Sequence, residues 1–183
     1  MGYALAEAAE KAGHDVILVS GPVNLKPLPG VETIAVESAL EMFEAVRDRI
    51  GAGVDAAIFC AAVADYRPKH IADEKIKKRG DSMTIEMEKT EDILGSARSV
   101  FKFKGTLVGF AAETNDLEKY AIKKLQRKGC DLLIANDVSR KDIGFDRDEN
   151  EVRLFFPDGR DELLPMQSKA DLGAVLIQRI SEI

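Results

Sequence analysis

The sequence predicts a doubly wound α/β fold: a mostly parallel sheet with a C-terminal β-hairpin and helix. Three observations carry that expectation. Continuous apolar runs at 57–64, 107–112 and 132–135 are each bounded by turn or charged residues, the pattern of strands buried on both faces of a parallel sheet. Helical segments separate those runs, so strand and helix alternate along the chain. Near the end, Val152-Arg153-Leu154-Phe155-Phe156 and Glu162-Leu163-Leu164 flank Pro157-Asp158-Gly159, a hairpin signal.

Each element has its own local cause. Residues 2–12 are Ala-rich and helical, and Gly13 ends them. Residues 15–20 form a buried strand broken by Gly21-Pro22, and 31–36 a second short strand. Ser38 caps a helix to about residue 50, with Glu41 completing a capping box. A strand over 55–61 leads into a Pro-bearing loop. Residues 83–88 alternate Met and Ile with Thr and Glu, so they read as a half-exposed strand. A helix over 91–100 and a strand over 106–111 follow. Asp116 opens a basic helix that Gly129 stops, and a strand over 131–135 leads to an irregular acidic loop through Asp148. The last helix, 167–182, puts Leu172, Val175, Leu176 and Ile180 on one face.

Doubly wound folds normally open on a central strand whose turn feeds the first helix. A helix that begins at residue 2 therefore suggests a strand and loop upstream that are absent here; a fold that simply begins with a helix is the alternative.

Bulk properties narrow the function. A chain of 183 residues makes one domain with a full-sized core. It contains no apolar stretch of membrane-spanning length and no signal peptide. Cys60 and Cys130, without partners at metal-ligand spacing, point to reduced thiols in a cytoplasmic protein. With two His in all, a zinc site is improbable, and His14 and His70 read as surface residues. A net charge of -6 argues against a nucleic-acid surface. It leaves room for small anions, because cations cluster at Lys75, Lys77, Lys78 and Arg79, and again at Lys119, Lys123, Lys124, Arg127 and Lys128.

Ligands of open α/β sheets sit beyond the carboxyl ends of the strands. Three strand runs end there in small residues followed by polar ones: Cys60-Ala61-Ala62-Val63-Ala64-Asp65, Ala111-Ala112-Glu113-Thr114-Asn115 and Ala135-Asn136-Asp137. Asp65 and Asn136 are placed to read a base or ribose; for Asp137 a helix N-cap is an equal reading. No G-x-G-x-x-G and no P-loop is present. Ser20 stands where a nicotinamide enzyme places an acidic residue, although an absent first strand would also remove the glycine fingerprint. No Ser-His-Asp set is visible. What remains is charge stabilisation, in which positioned lysines and a metal serve phosphoryl or nucleotidyl transfer. Lys75 lies either on a flap that carries cations to a triphosphate or on a solvated turn. Lys124 and Lys128, four apart, share a helix face that turns either to the ligand edge or to water. Phe110 is either core or a contact to a base.

Those segments resemble the phosphopantothenoylcysteine synthetase family, the phosphopantothenate–cysteine ligases of coenzyme A biosynthesis. The likeness rests on Ala61-Ala62-Val63-Ala64-Asp65-Tyr66-Arg67-Pro68, Glu74-Lys75-Ile76-Lys77-Lys78, Gly109-Phe110-Ala111-Ala112-Glu113-Thr114, Ala135-Asn136-Asp137-Val138-Ser139 and Val19-Ser20-Gly21-Pro22-Val23. The family fold is Rossmann-like, and the resemblance covers essentially the whole chain. It implies a ligase that uses CTP and magnesium (Mg2+) to activate 4′-phosphopantothenate as an acyl-cytidylate, which the amine of cysteine then attacks. It implies that Phe59, Cys60, Ala61 and Asp65 line the nucleotide pocket, and that Glu91, Asp92, Ile93, Leu94 and Phe110 border the cytosine. By the same likeness, Lys124 and Lys128 address the triphosphate, Lys75 acts catalytically from the flap, and Ala61, Lys75 and Asn136 meet the substrate. Family members are homodimers, with an extension from each subunit near the other's site, here the Lys75 and 82–89 region. In bacteria the domain is usually fused behind a flavin-dependent decarboxylase.

Two departures stand out. The family begins with a strand, a Gly-Pro-Thr turn and an Asn-x-Ser-Ser-Gly-Lys loop ahead of Met-Gly, which leaves this single domain truncated relative to it and its activity alone in question. Lys89-Thr90-Glu91-Asp92 stands where members often read Lys-Asn-Pro-Asp. The alternatives are a nucleotide-binding module that no longer catalyses and, less favoured, a nicotinamide-dependent reductase.

Overall fold

The computed structural model describes residues 1–78, 80–113, 116–137 and 148–183. In chain order the elements are α1 (Gly2–Lys11), β1 (Ile17–Ser20), β2 (Glu32–Ala35), α2 (Ala39–Ala52), β3 (Ala56–Phe59), β4 (Tyr66–Pro68), β5 (Met87–Lys89), α3 (Ile93–Ser99), β6 (Thr106–Glu113), α4 (Leu117–Lys128), β7 (Leu132–Asp137), β8 (Glu149–Phe155), β9 (Asp161–Ser168) and α5 (Lys169–Ser181). β3, β6 and β7 run parallel, and β8 and β9 continue the sheet antiparallel in the order β3-β6-β7-β8-β9. β1 and β2 form a separate parallel pair. The architecture is the doubly wound α/β one that the sequence predicts, with its parallel strands in two pieces. A cleft of about 1720 Å³ lies between the pieces, lined by Ile17 and Val19 on one side and Ala56 and Ile58 on the other.

Side chains alternate across a strand, and that alternation divides the core in two. Val108, Leu132 and Ile134 point to α1 and α5, where they meet Leu5, Leu172 and Leu176. Leu107, Ala111, Leu133 and Ala135 point the other way, to Ile50 of α2, Ala97 of α3 and Ala121 and Leu125 of α4. Burying each large side chain contributes roughly 1.5–3 kcal/mol. α1 and α5 approach closely because a Cβ on Gly173 would stand only 2.7 Å from the Ala4 carbonyl oxygen.

The local signals act as expected at three places. The Glu41 amide donates to Ser38 Oγ at 3.2 Å while the Glu41 carboxylate accepts from the Ser38 hydroxyl and the Glu37 amide. Gly129 stops α4 with φ 64°. Gly159 turns the hairpin with φ 87°, a left-handed conformation that suits glycine.

Four expectations are corrected. β3 is not buried on both faces: it is an edge strand beside the cleft and stops at Phe59. β1 is likewise only partly buried. The strand expected over 83–88 shrinks to β5, which pairs antiparallel with β4 in what the sequence reads as loop. Met83, Ile85 and Met87 are 63%, 54% and 47% exposed, so their alternation faces no core within this chain. β7 runs two residues past the expected end at 135, to Asp137, and the residues that a helix capped by Asp137 would occupy lie outside the described residues. Thr114, Asn115 and most of the acidic loop after β7 lie outside the described residues.

Candidate functional site

Parallel pairing brings the carboxyl ends of β3, β6 and β7 to one edge: Phe59 stands opposite Gly109, Ala111 opposite Ala135 and Ala112 opposite Asn136. β3 stops there while β6 runs four residues further, so an opening forms between them. The Thr106 amide donates to the Asp55 carbonyl, which turns Thr106, Val108 and Phe110 toward the β3 side. Phe110 lies beyond the end of β3, and its carbonyl oxygen accepts the Lys124 ammonium at 2.7 Å instead. A half-buried cation therefore sits at the mouth of the opening. The Phe110 ring is half-buried and, like Ile58 and Cys60, packs against the core cluster on the α1/α5 face.

Small residues are required around this mouth. A Cβ on Gly109 would meet Leu94 at 2.9 Å, Leu133 at 3.1 Å and the Cys130 sulfur at 3.3 Å. Leu94 thus packs onto β6 and ties the first turn of α3 to the sheet. Asp92 caps that helix, accepting from the Gly95 amide at 2.9 Å and also from the Lys128 ammonium. Burial pushes the Asp92 carboxyl up, but the Lys128 and Gly95 hydrogen bonds and the charges of Lys128 and Arg127 outweigh it and hold the group below its usual range. Burial raises the Cys60 thiol above its ordinary value and takes Cys130 to about 11, so neither is a thiolate at neutral pH.

β4 and β5 form an arm rooted at the same edge. The Thr90 amide donates to the Asp65 carbonyl at 3.0 Å and the Lys69 amide to the Glu86 carbonyl at 3.0 Å, extending the ladder at both ends. Arg67 pairs with Glu88 at 2.9 Å and with Glu91 at 3.2 Å. Lys69 pairs with Glu86 at 2.6 Å.

A continuous run of contacts thus joins most of the sequence-predicted residues. Phe59, Cys60 and Ala61 close β3; Asp65 touches Thr90; Glu91 and Asp92 follow, then Lys128, Lys124 and Phe110. Ile93 is buried, and Leu94 is half-buried against the core. Lys124 and Lys128 are half-buried rather than turned to water. Asn136 is half-buried on β7. Lys75 makes no contact with this group: it is exposed in the part of the arm between β4 and β5, without a hydrogen bond or ion pair among the described residues. His14 and His70 are exposed, as expected.

Sequence reasoning missed Thr90, Arg67 and the Tyr3–Ser20 hydroxyl pair, 3.1 Å apart at the cleft. For Arg67 a signal existed. Arg67 and Lys69 ascend while Glu88 and Glu86 descend, the charge pattern of an antiparallel ribbon.

The family described as DNA/pantothenate metabolism flavoprotein, C-terminal domain, matches residues 1–183. The chain belongs to this family. A relative from Vibrio parahaemolyticus, the coenzyme A biosynthesis bifunctional protein CoaBC, is 48% identical over 185 residues, covering 100% of this chain and 46% of that protein. The chain thus spans about half the length of the family's bifunctional member. The solved C-terminal domain of a CoaBC protein superposes with a TM-score of 0.82 at 40% identity, covering 99% of this chain and 80% of that one. A Cab2 variant solved with phosphopantothenate-cysteine gives a TM-score of 0.60 at 14% identity, covering 84% and 54% of the two chains, a likeness of fold alone. No helix among the described residues is long and apolar enough to cross a membrane.

Proposed function

We propose that this domain is a CTP-dependent phosphopantothenate–cysteine ligase. A carboxylate oxygen of 4′-phosphopantothenate attacks the α-phosphorus of CTP, pyrophosphate leaves, and an acyl-cytidylate forms. The cysteine amine then attacks the acyl carbon, CMP leaves, and the amine gives up its proton as the amide forms. Neither step needs a protein nucleophile, in keeping with two protonated, sheltered thiols; what both need is positive charge beside the phosphates. The observation that carries this reading is Lys124 at the mouth between β3 and β6, on a rim of small residues, in a chain of this family.

Lys124 exchanges the Phe110 carbonyl for a phosphate oxygen, and Lys128 supports it from Asp92. Lys75 comes over the phosphates from the arm, and Asp65 and Asn136 border the base, ribose or substrate. Magnesium enters as the counter-ion of the nucleotide. Among the described residues no three His, Cys, Asp or Glu side chains gather into a metal cage. That suits a cation held chiefly by phosphate oxygens and water. The enzyme works in the cytoplasm, and a flavin-dependent decarboxylase, fused or separate, consumes its product. Exposed Met83, Ile85 and Met87 make the arm the contact of a homodimer, so Met83→Glu with Ile85→Glu yields monomers in sedimentation equilibrium; an unchanged mass contradicts that contact.

The direct test incubates the chain with phosphopantothenate, cysteine, magnesium and either CTP or ATP. Pyrophosphate, CMP and the cysteine amide appear with CTP. Equal turnover with ATP contradicts the nucleotide assignment, and no product with either contradicts the activity of this chain.

A further inference from the structure

Among the described residues, the arm that carries Lys75 is fastened to the rim by polar contacts at its root. Both donors of Thr90 land on consecutive carbonyls of the loop after β3: its hydroxyl on Ala64 at 2.5 Å and its amide on Asp65 at 3.0 Å. The Arg67 fork spans Glu88 within the arm and Glu91 next to Asp92, the residue that caps α3 and holds Lys128. One set of contacts thus links the arm, the rim loop and the lysine-bearing helix. Resting on the ligase reading above, we propose that Thr90 and Arg67 are positioning residues that set the angle of the arm and so determine where Lys75 meets the bound nucleotide.

The leverage is large. Lys75 is nine residues beyond Tyr66, at most about 30 Å of chain, so a turn of about 10° at the root moves it by up to about 5 Å. A misplacement of about 1 Å already costs on the order of a hundredfold in rate. A bidentate Arg serves here where Lys does not, because a single ammonium cannot span both carboxylates in one plane. In the ligase reading the rim lysines bind the nucleotide and Lys75 acts on the reacting phosphates, so the arm's angle registers in kcat more than in nucleotide affinity.

The test compares Thr90→Val, Thr90→Ser and Arg67→Lys with the parent chain. Thr90→Val lowers kcat at least tenfold and leaves KM for CTP within about twofold. Its Lys69 and Thr90 amides exchange hydrogen faster, and Thr90→Ser restores both rate and protection. Arg67→Lys lowers kcat with the same KM signature. The proposal is overturned by a parental kcat in Thr90→Val, by a loss confined to KM, or by failure of serine to rescue. Hydrogen exchange separates the two claims. If the parent chain makes no product, faster exchange in Thr90→Val upholds the clamp while the ligase reading falls, and unchanged exchange overturns the clamp itself.

Discussion

The centre of the sheet and the arm are built on opposite principles. In β6 and β7, Leu107, Val108, Leu132, Leu133 and Ile134 are fully buried, and the strands are held by apolar packing on both faces. In the arm, Met83, Ile85 and Met87 face outward and cohesion comes from Arg67, Lys69 and their glutamates. Apolar burial is non-directional and large; exposed ion pairs contribute at most about 1 kcal/mol each. The centre therefore fixes where the rim is by packing, whereas the arm's angle rests on a few directional polar contacts. In the ligase reading proposed above, the first supplies the site's rigid floor and the second its cover.

The sharpest way to break the comparison is to open a hole in the centre. Leu133→Ala removes a fully buried side chain and costs about 3 kcal/mol in denaturant unfolding; a loss under about 1 kcal/mol would show a loosely packed sheet. Next comes the seam between the regions. Asp92→Ala removes the cap of α3 and the partner of Lys128, and costs about 1–2 kcal/mol. A neutral outcome there would mean that α3 is held by Leu94 and Ala97 alone.

Acid tests the polar contacts selectively. Asp92, Glu41 and Glu162 all titrate below their usual values when folded: Asp92 because its hydrogen bonds and nearby cations outweigh burial, Glu41 through the Glu37 amide, Glu162 through Arg179. A depressed carboxyl stabilises the fold above its unfolded pKa and loses that contribution as pH falls through the folded one. The melting temperature is therefore level between about pH 5 and pH 8 and declines below about pH 4. Asp92→Asn declines less steeply, and a melting temperature that rises on acidification contradicts the assignment. The smallest effect is expected on the arm: Ile85→Ala changes monomer stability by no more than about 0.5 kcal/mol.

The same contrast explains what the sequence disclosed. Apolar runs with turn residues at their ends announced β6, β7 and the hairpin, and Ser38 with Glu41 announced the start of α2. The run beginning at Ala57 looked like the other two, yet β3 is an edge strand, because burial depends on a neighbour that a strand's own residues do not encode. Of the arm, the 83–88 side was read as a strand, but β4 was read as loop because a three-residue strand has no period to read. At the site, the rim was legible from small residues followed by polar ones. Its ionic partners were not: Asp92 and Lys128 are 36 residues apart, and only the packing of α3 beside α4 brings them together. Lys124 could be placed on a helix face by spacing, but its role depends on β3 ending before β6.

Calorimetric titration of magnesium–CTP into the parent chain and into Lys124→Gln probes that opening between β3 and β6. The parent binds saturably, and a variant that melts within a few degrees of it binds at least tenfold more weakly. Equal affinity in the two chains, or a parent that takes up no CTP, would contradict a nucleotide site there.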